Sequence, residues 1–288
     1  MARLLGFIAN RPDLCRLFID YERETLRSFR AAPGTSLDDA EPWGWGTGFF
    51  QQGEVLLKRR PLDERGSLDW AEVLEDIRSD IIVGQIRQAE VGSLRTDNTH
   101  PFRYRQWVFA NTGRAPNFAS YRAKLMETLP SFLQRSLRGD TDSELLFHLF
   151  LSFLHDAARL EHPMVAVNDV FPALKSSLSL LDRIGQESGA ATAALNVLLA
   201  TPEYLVVAHR GAPMAYRLLA GREDFEPLFD QVQDGKMRKP DLEPCRLCVV
   251  ASDFGVDRRS APPPNWTVVP EGAMVAFSRT DEPVVIDA

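Results

Sequence analysis

Strand-like runs crowd both ends of this 288-residue chain, and helical spacing fills its middle. Near the start, RLLGFI is a short apolar run of the kind that buried strands show. WGTGFF and EVLLKRR follow as two β-runs separated by Gln51, Gln52 and Gly53, which predicts a hairpin. DIIVGQIRQ and RQWVFA are strand-like, with a polar loop, EVGSLRTDNTHPF, between them. Late in the chain LNVLLA, YLVVAH, MAYRLL, RLCVVAS, WTVVP and AMVAF alternate with turns. Leu14, Leu17, Phe18 and Tyr21 predict a helix over 13–30, and Trp70, Val73, Leu74 and Ile77 a second over 69–79. Residues 118–137 carry a helix that Pro130 should break or kink. Thr141 and Glu144 have the spacing of a capping box before LLFHLFLSFL. Val170, Leu174, Leu178 and Leu181 mark another helix, ending near Gly189. Strict strand–helix alternation is absent, which argues against a doubly wound parallel sheet. Stacked sheets with helices on their outer faces fit better. The helices near 13–30 and 69–79 should cover one face and those within 118–188 the other. No linker is long enough to divide the chain, so 1–288 reads as a single domain.

Composition narrows the function classes. Hydrophobic residues make up 44% and charged residues 25%, which supports a sizeable core and excludes disorder throughout. The net charge of −7, with no Lys/Arg block, argues against nucleic acid or a membrane surface as partner. The longest apolar stretch, Leu145–Leu154, is too short to span a bilayer, which takes about 20 residues. MARLLGFIANRPD lacks the pattern of a signal peptide, which predicts a cytoplasmic protein.

Generic chemical motifs are sparse. Cys245 and Cys248 have zinc-like spacing but lack a second Cys/His pair, and strand alternation would turn them to opposite faces. No metal and no cofactor is expected. The five histidines are scattered, WGWGTG lacks the helix that a phosphate loop needs, and no Gly-x-Ser-x-Gly elbow exists.

A more specific signal comes from motifs taken in order. MARLLGF resembles the start of class II glutamine amidotransferases, which typically begin Met-Cys-Arg-Leu-Leu-Gly. WGWGTGFF resembles that family's Gly-Trp-Gly strand, and GQIRQAEVGSLRTDNTHPF its His-x-Arg segment followed by Asn-x-His-Pro-Phe. WVFANTG stands where the family has Phe-x-His-Asn-Gly, and GDTDSELLF matches its Thr-Asp-Ser-Glu helix start. LNVLLATPEYLVVAHR and VVASDF, with Trp266 and Val269-Pro270, resemble its closing strands. The likeness is to the single-domain branch that includes the ergothioneine-pathway amidohydrolase. It implies an α+β fold, the four-layer αββα sandwich of two mainly antiparallel sheets found in N-terminal-nucleophile hydrolases. It also implies a mechanism: an N-terminal Cys thiol attacks a side-chain amide, the α-amine serves as base, and an Asn side chain with a Gly N–H holds the oxyanion.

Carried over by motif, Arg87 matches the Arg that grips the substrate α-carboxylate, and Asp142 the Asp that grips the α-ammonium. Asn98 and His100 match the pocket-wall motif, and Gly113 the oxyanion-hole Gly. The nucleophile position, however, holds Ala2, and the oxyanion Asn position holds Thr112. Gln85 and Asn111 replace two family histidines, and Glu90 stands where Thr is usual. Groups that act on the reacting amide are changed, while those that grip the amino-acid end are kept. The resemblance therefore implies a catalytically degenerate protein, a pseudoenzyme that binds an amino acid or γ-glutamyl ligand or regulates a partner protein. The alternative is an active glutamine amidotransferase or γ-glutamyl amidohydrolase whose nucleophilic Cys was mutated to Ala2.

Overall fold

The computed structural model describes residues 3–23, 26, 43–63, 68–88, 94–232, 241–252, 254 and 261–287. Its strands are β1 (Arg3–Ala9), β2 (Trp43–Gln51), β3 (Glu54–Asp63), β4 (Ile81–Gln88), β5 (Phe102–Tyr104), β6 (Trp107–Arg114) and β7 (Ala194–Ala200). They continue with β8 (Leu205–Ala208), β9 (Met214–Ala220), β10 (Arg246–Ser252), β11 (Thr267–Val268), β12 (Ala273–Phe277) and β13 (Val284–Asp287). One sheet runs β11-β9-β10-β1-β4-β2-β3 and the other β13-β12-β8-β7-β6-β5. Every described pairing is antiparallel.

Strand alternation sorts the apolar residues into three cores. Leu4 and Ile8 of β1 meet Leu198, Leu205 and Val207 of the facing sheet, while Leu5, Phe7 and Ala9 turn to the opposite side. There they meet α1 (Pro12–Tyr21), the single turn α2 (Trp70–Val73) and α7 (Gly221–Val232), through Phe18, Trp70 and Phe225. On the second sheet, Phe109, Val197 and Val206 face α3 (Phe118–Glu127), α4 (Ser131–Ser136), α5 (Asp142–Asp156) and α6 (Val167–Glu187). Helix, sheet, sheet, helix is the four-layer order that the motifs implied. A strand with apolar neighbours on both faces reads as an unbroken apolar run, which is why RLLGFI carries no polar alternation. Helix α5 lies buried against β6 and α6 and is correspondingly apolar around nearly its whole circumference.

Local chemistry explains the element ends. Gln52 and Gly53 both have positive φ, 53° and 82°, so β2 and β3 are joined by the tight turn that suits hairpin twist. Pro130 separates α3 from α4, as its ring requires. The Thr141 hydroxyl accepts from Glu144 N at 3.2 Å, but the Glu144 carboxylate does not complete the box; it accepts from Arg138 N and Gly139 N instead. Gly189, with φ 77°, follows the end of α6.

Several expectations need correction. The helix expected over 69–79 is one turn. Arg16 and Lys58 donate to the carbonyls of Ala71 and Val73, and the chain continues as turns. Helix α7 forms where Pro227 argues against a helix, and it buries one face through Phe225, Leu228 and Phe229. The polar loop before RQWVFA contains a 3-10 turn at Thr96–Asn98 and leads into β5. The helix predicted over 13–30 is described as α1, and 27–30 lie outside the described residues.

Phe109 is fully buried and stacks on Phe147 with ring centroids 5.1 Å apart. Phe109→Ala is expected to lower stability by about 3–5 kcal/mol. Leu56→Ala, at a side chain 40% exposed, should stay within about 0.5 kcal/mol. Urea denaturation of both variants checks this, and similar losses would contradict the layer assignment.

Candidate functional site

The site grows from a strip of bare backbone on β2. Trp45 points into the helix-side core, so the alternating residues Gly44 and Gly46 face the other way. A Cβ on Gly46 would lie 1.9 Å from the backbone oxygen of His100. Only glycine allows the 98–100 segment to lie this close. Arginines flank that strip on both neighbouring strands. Arg59 on β3 pairs in register with Gly46, and Arg87 on β4 pairs with Gly44. Arg59 Nη1 donates to the Thr99 carbonyl at 3.2 Å, and Arg87 Nη1 to the Asn98 carbonyl at 2.6 Å. Consecutive carbonyls of the segment are thus held from two strands.

Arg87 Nε and Nη2 are buried without a hydrogen-bond partner, and no carboxylate pairs with this guanidinium among the described residues. Burial lowers its pKa from the usual value, yet arginine stays charged at any ordinary pH. His100 lies edge-on to Phe102 at 4.7 Å, and its Nε2 donates to Asn111 Oδ1 at 3.0 Å. Burial, with the positive charges of Arg87 and Arg59, pushes the imidazole pKa down to about 3 against the opposing pull of Asn111. The ring is therefore neutral near pH 7. Gln85 Nε2 crosses between the sheets to donate to the Asn111 carbonyl at 2.9 Å.

On β6, Val108 and Ala110 face the inter-sheet core and Phe109 the helix side. Thr112 continues the first set and Asn111 the second. The Asn111 amide therefore serves His100 and does not share the face of Thr112. Gly113 has φ 91°, and a Cβ there would lie 1.9 Å from the Ala194 carbonyl oxygen, so the position admits only glycine. Just beyond β6, Ala115 N donates to Asp142 Oδ2 at 2.7 Å, while Ser143 N donates to Oδ1 at 2.9 Å. Burial raises the Asp142 pKa, and these backbone bonds oppose the rise. The Asn98 side chain and Asp140 exchange two hydrogen bonds: Nδ2 to Oδ1 at 2.7 Å, and Asp140 N to Asn98 Oδ1 at 3.1 Å.

Arg87, Asn98 and His100 thus belong to one buried hydrogen-bonded cluster, and Asp142 joins it through the chain beside Asp140. Thr112 and Gly113 follow Asn111 on the same strand. Ala2 and Glu90 lie outside the described residues, although Arg3 pairs with Ile86, the residue before Arg87. Sequence reading passed over Arg59 and Asp140. The register of Arg59 opposite Gly46 was the usable clue for the first; nothing local marked the second. Cys245 belongs to the helix-side core and Cys248 to the inter-sheet core, so the two thiols do not form a pair of ligands. No cluster of three His, Cys, Asp or Glu that could hold a metal occurs among the described residues. No helix among them is long and apolar enough to cross a membrane.

Two facing antiparallel sheets between helical layers, with polar groups gathered at one end of β4 and β6, define an N-terminal-nucleophile-type fold. The profile of the family described as class-II glutamine amidotransferases matches residues 1–286, and the chain belongs to that family. The Escherichia coli protein YafJ is 28% identical over 214 residues, 72% of each chain. The Saccharomyces cerevisiae protein DUG3 is 34% identical over 80 residues, 28% of this chain and 22% of its own. The chain spans half the length of a Haemophilus influenzae relative, at 29% identity over 167 residues and 55% of this chain. Among solved structures, a class-II domain protein from Silicibacter pomeroyi superposes with TM-score 0.57 at 17% identity, covering 99% of this chain and 98% of that one. A Pseudomonas aeruginosa structure gives 0.57 at 21% identity, covering 97% and 98%. These two likenesses concern the fold.

The neutral His100 has a pH consequence. Between about pH 6.5 and 3 the unfolded chain binds a proton here that the folded chain does not, so stability falls as pH drops through that window. Asp142 and Glu144, with raised pKa values, work in the opposite direction in wild type and variant alike. His100→Gln should therefore lose less stability than wild type between about pH 6.5 and 4. Urea midpoints across that range check it, and identical slopes would contradict a buried neutral ring.

Proposed function

We propose that residues 1–288 act as one class-II glutamine amidotransferase-type domain that binds glutamine or a γ-glutamyl compound without hydrolysing it, in a binding or regulatory role. The observation that carries this reading is the buried Arg87 guanidinium, with one carbonyl partner and two unpartnered nitrogens. A buried cation without a counter-charge is costly, and a bidentate ligand carboxylate would relieve that cost. Since those nitrogens are closed to solvent, ligand entry requires the groups packed over them to shift. Asp142 would take the α-ammonium, Asn98 and His100 would wall the pocket, and Thr112 and Gly113 would lie at the amide end.

The chemistry is where this chain departs from the family motif. Ala2 offers no nucleophile, a loss worth on the order of 10⁶ in rate in a serine protease. Thr112 replaces the oxyanion Asn, and losing such a donor costs roughly 10²–10³. Gln85 and Asn111 are committed to each other and to His100.

Charge-assisted hydrogen bonds of about 1.5–3 kcal/mol each, set against the entropy of association, give an expected Kd in the micromolar-to-millimolar range. Calorimetric titration with glutamine and γ-glutamyl compounds tests it. Arg87→Ala should weaken binding at least about tenfold, which corresponds to 1.4 kcal/mol. Binding indifferent to this change would remove Arg87 from the pocket. Ammonia release should not exceed that of a heat-killed control; clear release would overturn the non-hydrolysing reading. Ala2→Cys with Thr112→Asn should recover partial activity at most, because Gln85 and Asn111 still differ from the motif.

A further inference from the structure

Arg87 and Asp142 stand on different parts of the sandwich. Arg87 belongs to the first sheet, whereas Asp142 begins a helix packed on the second. A ligand that uses both needs their separation fixed. A hydrogen-bonded route between them runs through the Asn98 side chain. Arg87 Nη1 is tied to the Asn98 carbonyl, and the Asn98 amide is tied to Asp140 by both its oxygen and its nitrogen. Two reciprocal bonds fix rotation as well as distance, which a single bond does not. Asn98 is wholly buried, so its amide has no water to fall back on. A Cβ on Gly139 would lie 2.2 Å from Asn98 Oδ1, so the two chain segments are in close contact there. Behind them the Glu144 carboxylate holds Arg138 N and Gly139 N, and Ala115 N holds Asp142 itself.

We infer that the Asn98–Asp140 interlock sets the spacing between the carboxylate grip and the ammonium grip. Asp140 is thereby a positioning residue for selecting ligands that carry both groups on one carbon. This rests on the binding role proposed above for Arg87 and Asp142. Asp140 acts only through Asn98, and its own side chain lies at the surface, so its replacement leaves all three cores intact.

The test compares glutamine with glutaramate, which is glutamine lacking its α-ammonium group, by calorimetric titration of the full chain. Wild type should bind glutamine more tightly. Asp140→Ala should lose about tenfold in glutamine affinity and leave glutaramate affinity within about twofold. Asp140→Asn keeps an acceptor oxygen for Asn98 Nδ2 and should retain the wild-type preference. Thermal melting of both variants separates misfolding from misplacement. An Asp140→Ala protein that weakens both ligands equally, or keeps the full preference, would overturn the inference and leave the binding role standing. A wild type that binds neither ligand, or glutaramate as tightly as glutamine, would overturn the binding role and this inference together.

Discussion

The segment from Asn98 to His100 can occupy its place only because β2 presents bare backbone there. With a side chain at Gly46, neither the segment nor the clusters built on it could form. Arg87 would lose its carbonyl, and His100 would be carried away from Asn111. Tryptophan at position 45 and glycine at 46 are one device seen from two faces: bulk fills the helix-side core and its lack opens the site side.

The charges around this segment follow from its burial. Arg87, His100 and Asp142 are all displaced from their ordinary pKa values chiefly by the loss of water, each toward its neutral form. Histidine yields and becomes neutral. Arginine cannot, and so keeps a charge that needs a partner. Asp142 recovers part of its lost hydration from two backbone N–H groups. The site thus holds one charge answered within the chain and one that is not.

Much of the fold was legible because strand period and apolar runs report burial directly. RLLGFI, the Gln52-Gly53 turn, the break at Pro130 and the Thr141 cap all stand where local chemistry put them. The failures were also local. Pro227 hid α7, although its first turns bury Phe225 and Phe229. The 69–79 spacing gave way where side chains from elsewhere took two carbonyls. The motifs single out Arg87, Asn98, His100 and Asp142, which the structure gathers in one region of linked hydrogen bonds. Arg59 and Asp140 act through backbone carbonyls and reciprocal amide bonds between segments about 40 residues apart, and no periodicity reveals such partners.

The reciprocal bonds at Asn98 bear on how a chain of this kind ages under mutation. Asn98 and Asp142 tie separate segments of the fold together, so replacing either leaves buried polar partners unmet. The Thr112 side chain carries none of these ties, and a change there leaves the frame closed. Random drift therefore meets unequal resistance across one small region: position 112 can change with the frame intact, while Asn98 and Asp142 are held by the bonds they make between segments.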